Sequence, residues 1–276
     1  EVEIYSPYQI LSLRTDQSGI PQIRASNTYY QYIHNLSEDI ILTKNTNMPD
    51  TLNWLEKIAQ FYALPYHFKP NPDDVLIIGS GSGNDVAAGL GNGARSIDAV
   101  EIDPVILKLG EYIHPQSPYR SPKVRAIIDD ARAFLRKTEK KYDLIIYGLL
   151  DAHTLLSGKS GGIRLDSYVY TIEGFREARE KLNNNGLICL SFATMSPALG
   201  QKLYLMLKDA FDGQPPIVFE TDNRGHTFLA GGLINKKFVA KYSTFNNVTP
   251  LFESGQYFAD KSTDDWPFFY MPVKTY

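Results

Sequence analysis

The sequence has one cysteine, Cys189, among its 276 residues. A disulfide framework within the chain is therefore excluded, as is a cysteine-rich metal centre. Its setting in the run Leu187–Phe192 reads as a buried core thiol, and a lone cysteine is compatible with a reducing compartment. No apolar run approaches the roughly 18 residues that a membrane-crossing helix needs. Charge of one sign is not in excess: 28 Lys and Arg against 31 Asp and Glu leave a net charge of −3, so no basic surplus points to nucleic acid. There is no His-Glu-x-x-His zinc motif, and the loop Gly79–Gly83 does not place a serine in the Gly-x-Ser-x-Gly register of a nucleophile elbow, which argues against a hydrolase built on either. No internal repeat or low-complexity stretch occurs. The chain opens on Glu1 rather than Met and closes on an aromatic stretch, which reads as a module of a longer protein.

Hydrophobic residues make up 43%, enough for a sizeable core. Residues 1–48 are rich in β-branched and aromatic types and predict a small N-terminal domain of β-hairpins. Residues 51–64 predict a helix with Leu52, Leu55, Ile58 and Tyr62 on one face, capped by Asp50 or Thr51. Pro65, Pro70 and Pro72 are expected to break the chain there. From Asp74 short apolar runs alternate with helical segments, and residues 49–276 read as a nucleoside-binding α/β domain. VLIIG, SIDAVE, VRAII, DLIIYG and GLICLSF are its strands. Ile172, Phe175, Ala178 and Leu182 mark one helix face, and Asp103 with Pro104 marks a helix start. IVFE and HTFLAGG predict closing strands. The fold class is α/β: a Rossmann-like, methyltransferase-type sheet, mostly parallel, with helices on both faces.

Three strand ends carry the chemistry. After the first comes Gly79-Ser80-Gly81-Ser82-Gly83, where backbone can approach a ligand closely. The sixth position of a dinucleotide fingerprint is Asn84 rather than glycine, and no P-loop lysine follows. The loop fits a nucleoside without a pyrophosphate, such as S-adenosylmethionine. Glu101 ends the second strand, where a carboxylate can accept from both ribose hydroxyls. The same logic serves NAD, so it supports a ribose rather than one cofactor. Asp129 and Asp130 end the third strand; Asp130 is the candidate for the adenine amino group and Asp129 for a helix cap.

With these residues in place the chain resembles the polyamine aminopropyltransferases, the spermidine synthase family. The resemblance runs from about residue 5 to about residue 190. It implies a β-domain ahead of a methyltransferase-like sheet. It also implies transfer of an aminopropyl group from decarboxylated S-adenosylmethionine to a small-molecule amine, with methylthioadenosine as product. SPYQ resembles an early motif, which puts Gln9 on the cofactor, and TYYQYI puts Tyr30 and Gln31 at the gate between cofactor and amine. The implied cofactor set is Gln9, Gln31, Gly79, Gly81, Ser82, Gly83, Glu101 and Asp130; the implied catalytic set is Asp151, His153 and Tyr30. No metal is implied. The segment TDDWPFFYMP resembles the ends of membrane-embedded relatives, which implies a cytoplasmic domain joined to transmembrane helices; the family default is a homodimer.

The chain departs from the family's pattern at two positions. Ser82 stands where the family has a loop aspartate on the chain's amino group, and Gly148 stands where it has its catalytic base. Removing one acid from a buried charge pair costs about 3–5 kcal/mol, so another group takes over or the acceptor is not a simple diamine. Asp85, Asp166, Asp222 and His153 are the candidate replacements. The glycines between 152 and 166 suggest a lid, and Tyr168 or Tyr170 could wall an amine pocket. Two other readings stay open. Ser82 leaves room for a carboxylate, as a methyltransferase using S-adenosylmethionine would need, and Gly148 suits a non-catalytic nucleoside-binding domain of a membrane protein.

Overall fold

The computed structural model describes residues 2–25, 28–37, 49–148, 165–194, 196–221, 225–232, 239 and 242–274. These residues cluster into two compact units, the first running to Asp130 and the second starting at Ala131.

The first unit opens with a four-stranded antiparallel meander: β1 (Val2–Tyr5), β2 (Ile10–Thr15), β3 (Pro21–Ala25) and β4 (Thr28–Tyr32). Side-chain hydrogen bonds close its turns. Ser6 Oγ accepts from the N–H groups of Tyr8 and Gln9, and Asp16 Oδ1 accepts from those of Ser18 and Ile20. Gly19 supplies the left-handed residue of the second turn, with φ 80°. One face of the meander buries Leu11, Ile23 and Ala25 against Ile106.

Helix α1 (Pro49–Phe68) follows. The expected break at Pro65 does not occur. The helix continues for another turn, because Leu64 and Tyr66 are buried on either side of the proline and their packing outweighs its missing N–H. The chain leaves the helix before Pro70 instead. The expected caps at Asp50 and Thr51 fall on side chains outside the described residues.

Strands β5 (Asp74–Ile78), β6 (Ser96–Glu101) and β7 (Val124–Ile128) pair in parallel, with Ile78 opposite Val100 and Glu101 opposite Ile128. The first two are almost wholly buried, as continuous apolar strands require. Strand β7 is mostly exposed; its Arg125 makes a bidentate pair with buried Asp98. Helix α2 (Asn84–Gly91) starts directly after the glycine loop. Helix α3 (Pro104–Ile113) starts as the sequence predicts, with Asp103 accepting from Val105 N at 2.9 Å and Pro104 in its first turn.

The second unit holds α4 (Ala131–Lys137), β8 (Tyr142–Tyr147), α5 (Ile172–Glu180), β9 (Leu182–Ala193) and α6 (Pro197–Ala210). It continues with β10 (Ile217–Thr221), β11 (Gly225–Gly231), β12 (Asn246–Asn247) and α7 (Thr249–Glu253). Strand β9 is parallel to β8 and antiparallel to β11, and β10 is antiparallel to β11 and β12. The closing strands expected at IVFE and HTFLAGG are β10 and β11. Leu182 is not on the helix face expected for it. Helix α5 ends at Glu180 and β9 already begins at Leu182, its backbone aided by Asn185 at φ 61°. Cys189 is buried in β9.

The segment TDDWPFFYMP closes the core of this unit without forming a strand. Phe269 is fully buried and stacks on Tyr170, with ring centroids 4.7 Å apart. Lys202 holds the segment from α6: its Nζ donates to the carbonyls of Phe268 at 3.0 Å and Met271 at 2.7 Å and lies 4.5 Å from the Trp266 ring centroid. Burial pulls this ammonium down to about 7. Arg132 of α4 holds the same segment through Asp264. Among the described residues no helix is long and apolar enough to cross a membrane.

Candidate functional site

In the first unit the ends of β5, β6 and β7 lie side by side. The N–H groups of Gly79 and Ser80 donate to Val100 O, and the N–H of Asp129 donates to Glu101 O. The glycine loop after β5, the acid ending β6 and the two aspartates after β7 are thereby neighbours. Strands with this alternation and register bring these groups to one edge of the sheet.

The glycine loop needs its glycines. Gly81 has φ 55°, and a Cβ there would stand 2.9 Å from Gln31 Oε1; Gly83 has φ 104°, and a Cβ there would stand 2.8 Å from Pro118. Gln31 lies directly on the loop. Its Oε1 accepts from Ser82 N at 3.0 Å and from Ser82 Oγ at 2.7 Å. Ser82 is fully buried and its hydroxyl is committed to this bond. Tyr119, in the short 3-10 turn Pro118–Arg120, supports the loop through hydrogen bonds from its hydroxyl to Ser80 Oγ (2.9 Å) and Gly81 O (2.7 Å).

Glu101 is 4% exposed, and each carboxylate oxygen already accepts one backbone N–H: Oε2 from Gly81 at 2.9 Å and Oε1 from Asp103 at 2.9 Å. Burial, joined by the nearby charge of Asp103, pushes its carboxyl up, and the N–H groups of Asp103, Gly81 and Ile102 oppose the shift. A carboxylate offers about four lone-pair sites, so room remains for a ligand hydroxyl. Gln9 Nε2 stands 3.5 Å from Asp103 Oδ2, which brings the first turn of the meander to the same corner. Asp130 N donates to Asp129 Oδ1, a bond between neighbours just after β7.

Tyr30 and Gln31 alternate across β4, as neighbours on a strand must. Gln31 meets the glycine loop, whereas Tyr30 packs on the apolar cluster of Leu11, Ile23 and Ile106. Asp85, in the first turn of α2, is half-buried, and burial pushes its carboxyl up to about 7. Tyr168 is exposed and Tyr170 is wholly packed. Asp151, His153, Asp222, the side chain of Asp166 and the expected lid lie outside the described residues. Among the described residues no group of three or more His, Cys, Asp or Glu side chains could hold a metal.

The sequence reading missed a buried imidazole pair in this unit. His34 and His114 are 5% and 2% exposed, and Nδ1 of the first and Nε2 of the second find no hydrogen-bond partner among the described residues. His34 packs among Tyr32, Trp54 and Tyr62. Burial holds each imidazole at about 4 rather than 6.5; Asp16 opposes this for His34, and His34 reinforces it for His114. The unfolded chain therefore binds more protons between those values. The imidazoles' contribution to stability is complete above pH 6.5 and is expected to fall as the pH drops toward 4, by on the order of 3 kcal/mol per imidazole, with Asp85 acting in the opposite sense below about 7. Melting temperatures between pH 7.5 and 4.5 check this. The stability advantage of wild type over the His34→Gln, His114→Gln double variant should shrink as the pH falls, because the raised carboxyl of Asp85 acts in the opposite sense but equally in both proteins; an advantage that does not change with pH would refute the assignment.

This arrangement defines a class, the methyltransferase-like α/β fold preceded by a small antiparallel sheet. The spermidine synthase of Thermotoga maritima superposes with a TM-score of 0.62 at 14% identity, over 96% of this chain and 82% of that one. Human methyltransferase-like protein 13, in complex with SAH, gives 0.54 at 16% identity, over 72% of this chain and 90% of that one. The family model for the spermine/spermidine synthase domain matches residues 56–212, more than half the chain, and the chain belongs to that family. A polyamine aminopropyltransferase of Thermoplasma volcanium is 27% identical over 194 residues, 67% of this chain and 66% of the relative. Another, of Korarchaeum cryptofilum, is 26% identical over 146 residues, 51% of this chain and 42% of the relative. The matched stretch thus spans less than two thirds of either relative's length.

Proposed function

We propose that this chain is an aminopropyltransferase whose donor substrate is an S-adenosyl nucleoside, decarboxylated S-adenosylmethionine in the first instance, and whose acceptor is a small-molecule amine. The observation that carries the reading is buried Glu101, poised at the end of β6 beside a glycine loop with no Cβ in the way. In this reading Glu101 takes the ribose hydroxyls, Asp130 the adenine amino group, and Gln9, Gln31 and the loop Gly79–Gly83 the remainder of the donor. The acceptor nitrogen attacks the carbon next to the sulfonium, the C–S bond electrons pass to sulfur, and methylthioadenosine leaves. The new ammonium gives its proton to a base. Gly148 provides none, so Asp151 and His153 take that role here, while Tyr30, packed on the apolar cluster behind Gln31, is left to position β4. The resemblance of TDDWPFFYMP to membrane-embedded relatives supports a cytoplasmic domain carried by a membrane protein, and the family default supports a homodimer.

One observation favours a second reading. Ser82 carries no charge and gives its hydroxyl to Gln31, so the loop does not repel a carboxylate. That would suit a methyltransferase using S-adenosylmethionine itself. Incubation with the decarboxylated donor and a panel of amines should release methylthioadenosine. Absence of release with every amine, together with tighter calorimetric binding of the carboxylated donor, would favour the methyltransferase.

A further inference from the structure

Asn84, the residue that spoils the dinucleotide spacing, is completely buried at the start of α2. The orientation of its amide is settled by its partners. The N–H of His34 can only donate, so the atom it meets at 3.0 Å is Oδ1. The nitrogen end then gives its hydrogens to Tyr32 O at 2.8 Å and to the Tyr62 hydroxyl at 3.1 Å. Tyr32 O and His34 N are the groups that a neighbouring strand would pair with. Asn84 takes that strand's place and ties the end of β4 to the residue next to Gly83. Gln31, adjacent to Tyr32, is delivered onto Gly81, with its oxygen consumed by Ser82.

We propose that Asn84 is a positioning residue that seats the Gln31 amide on the glycine loop and leaves its nitrogen end to the donor substrate. The role in binding rests on the nucleoside reading above; the seating itself does not. The test is Asn84→Asp at pH 8, which keeps the acceptor for His34 and loses both donors, alone and combined with Gln31→Ala. Asn84→Gly, which leaves room for water at all three partners, serves if the aspartate variant does not fold. Methylthioadenosine affinity should fall about 10-fold in the single variant, the loss expected for one hydrogen bond. It should fall no further when Gln31 is already alanine. Hydrogen exchange of the peptide carrying Ser82, measured without ligand, should rise to the level seen in Gln31→Ala. Unchanged Ser82 exchange, or an equal loss of affinity in both backgrounds, overturns the proposal. A wild-type protein that binds no methylthioadenosine would sink the nucleoside reading, while the Ser82 exchange still decides whether Asn84 seats Gln31.

Discussion

Replacing Arg132 by methionine is expected to destabilise the second unit by about 3 kcal/mol, the lower end of the range for breaking a buried ion pair from one side. Arg132 has a side chain only 6% exposed. It makes a two-pronged bond to Glu177 at 2.7 and 2.8 Å and another to Asp264 at 3.0 Å on both prongs. It also donates to Tyr168 O at 2.6 Å and to Thr171 Oγ1 at 3.0 Å. Burial works against its charge, but the two carboxylates more than offset that and hold its pKa above the usual value. Methionine keeps much of the packing volume and none of these bonds. Glu177 and Asp264 would then face each other with Arg136 as their one cation among the described residues and the Thr171 hydroxyl still donating to Asp264; Arg136 is 59% exposed and correspondingly weak as a partner. The carboxylates can draw some water, which keeps the loss toward the lower figure. Urea denaturation followed by Trp266 fluorescence in a Trp54→Phe background reads this unit alone. Arg132→Lys should recover less than half of the loss, because an ammonium restores charge but not the fork geometry. Full recovery with lysine, or a loss under 1 kcal/mol with methionine, would show that the fork does not hold the unit together.

Arg132 also marks the limit of what could be read in the sequence. Local chemistry was legible: the short apolar runs of β5 and β6, the Asp103–Pro104 helix start, the glycine loop and the acid at the next strand end all depend on neighbours within a few residues. The corner formed by Gln9, Gln31, Gly81 and Glu101 followed from those elements and from family resemblance. What stayed hidden is held by contacts distant in sequence. Tyr119 reaches Ser80 across 39 positions, His34 reaches Asn84 across 50, and Arg132 reaches Asp264 across 132. The one available signal for Arg132 was an arginine three positions before Leu135, on the buried face of a short helix. Pro65 misled for a related reason: propensity is local, whereas the burial of Leu64 and Tyr66 that carries the helix past it is not.

Glu101→Ala is expected to weaken methylthioadenosine binding at least 100-fold. A hydrogen bond to a charged group contributes about 1.5–3 kcal/mol, and two ribose hydroxyls on one carboxylate bring the loss to roughly 3–6 kcal/mol, or about two to four decades in Kd. Glu101→Gln is the sharper variant. Each oxygen of Glu101 already accepts a backbone N–H, from Gly81 on one side and from Asp103 on the other. A glutamine must turn its NH2 against one of those donors, so the amide should bind little better than alanine and should melt lower than wild type. At a solvent-exposed acid the same change would be nearly silent in stability. Calorimetry with methylthioadenosine, paired with melting curves, separates the outcomes. If glutamine lowers the melting temperature but alanine keeps nucleoside affinity within three-fold of wild type, Glu101 only fastens the glycine loop to α3. If both variants lose two decades of affinity while alanine remains folded, the carboxylate acts on the sugar as well as on the loop, since backbone donors freed by alanine can take water but a ribose cannot be gripped by a methyl group.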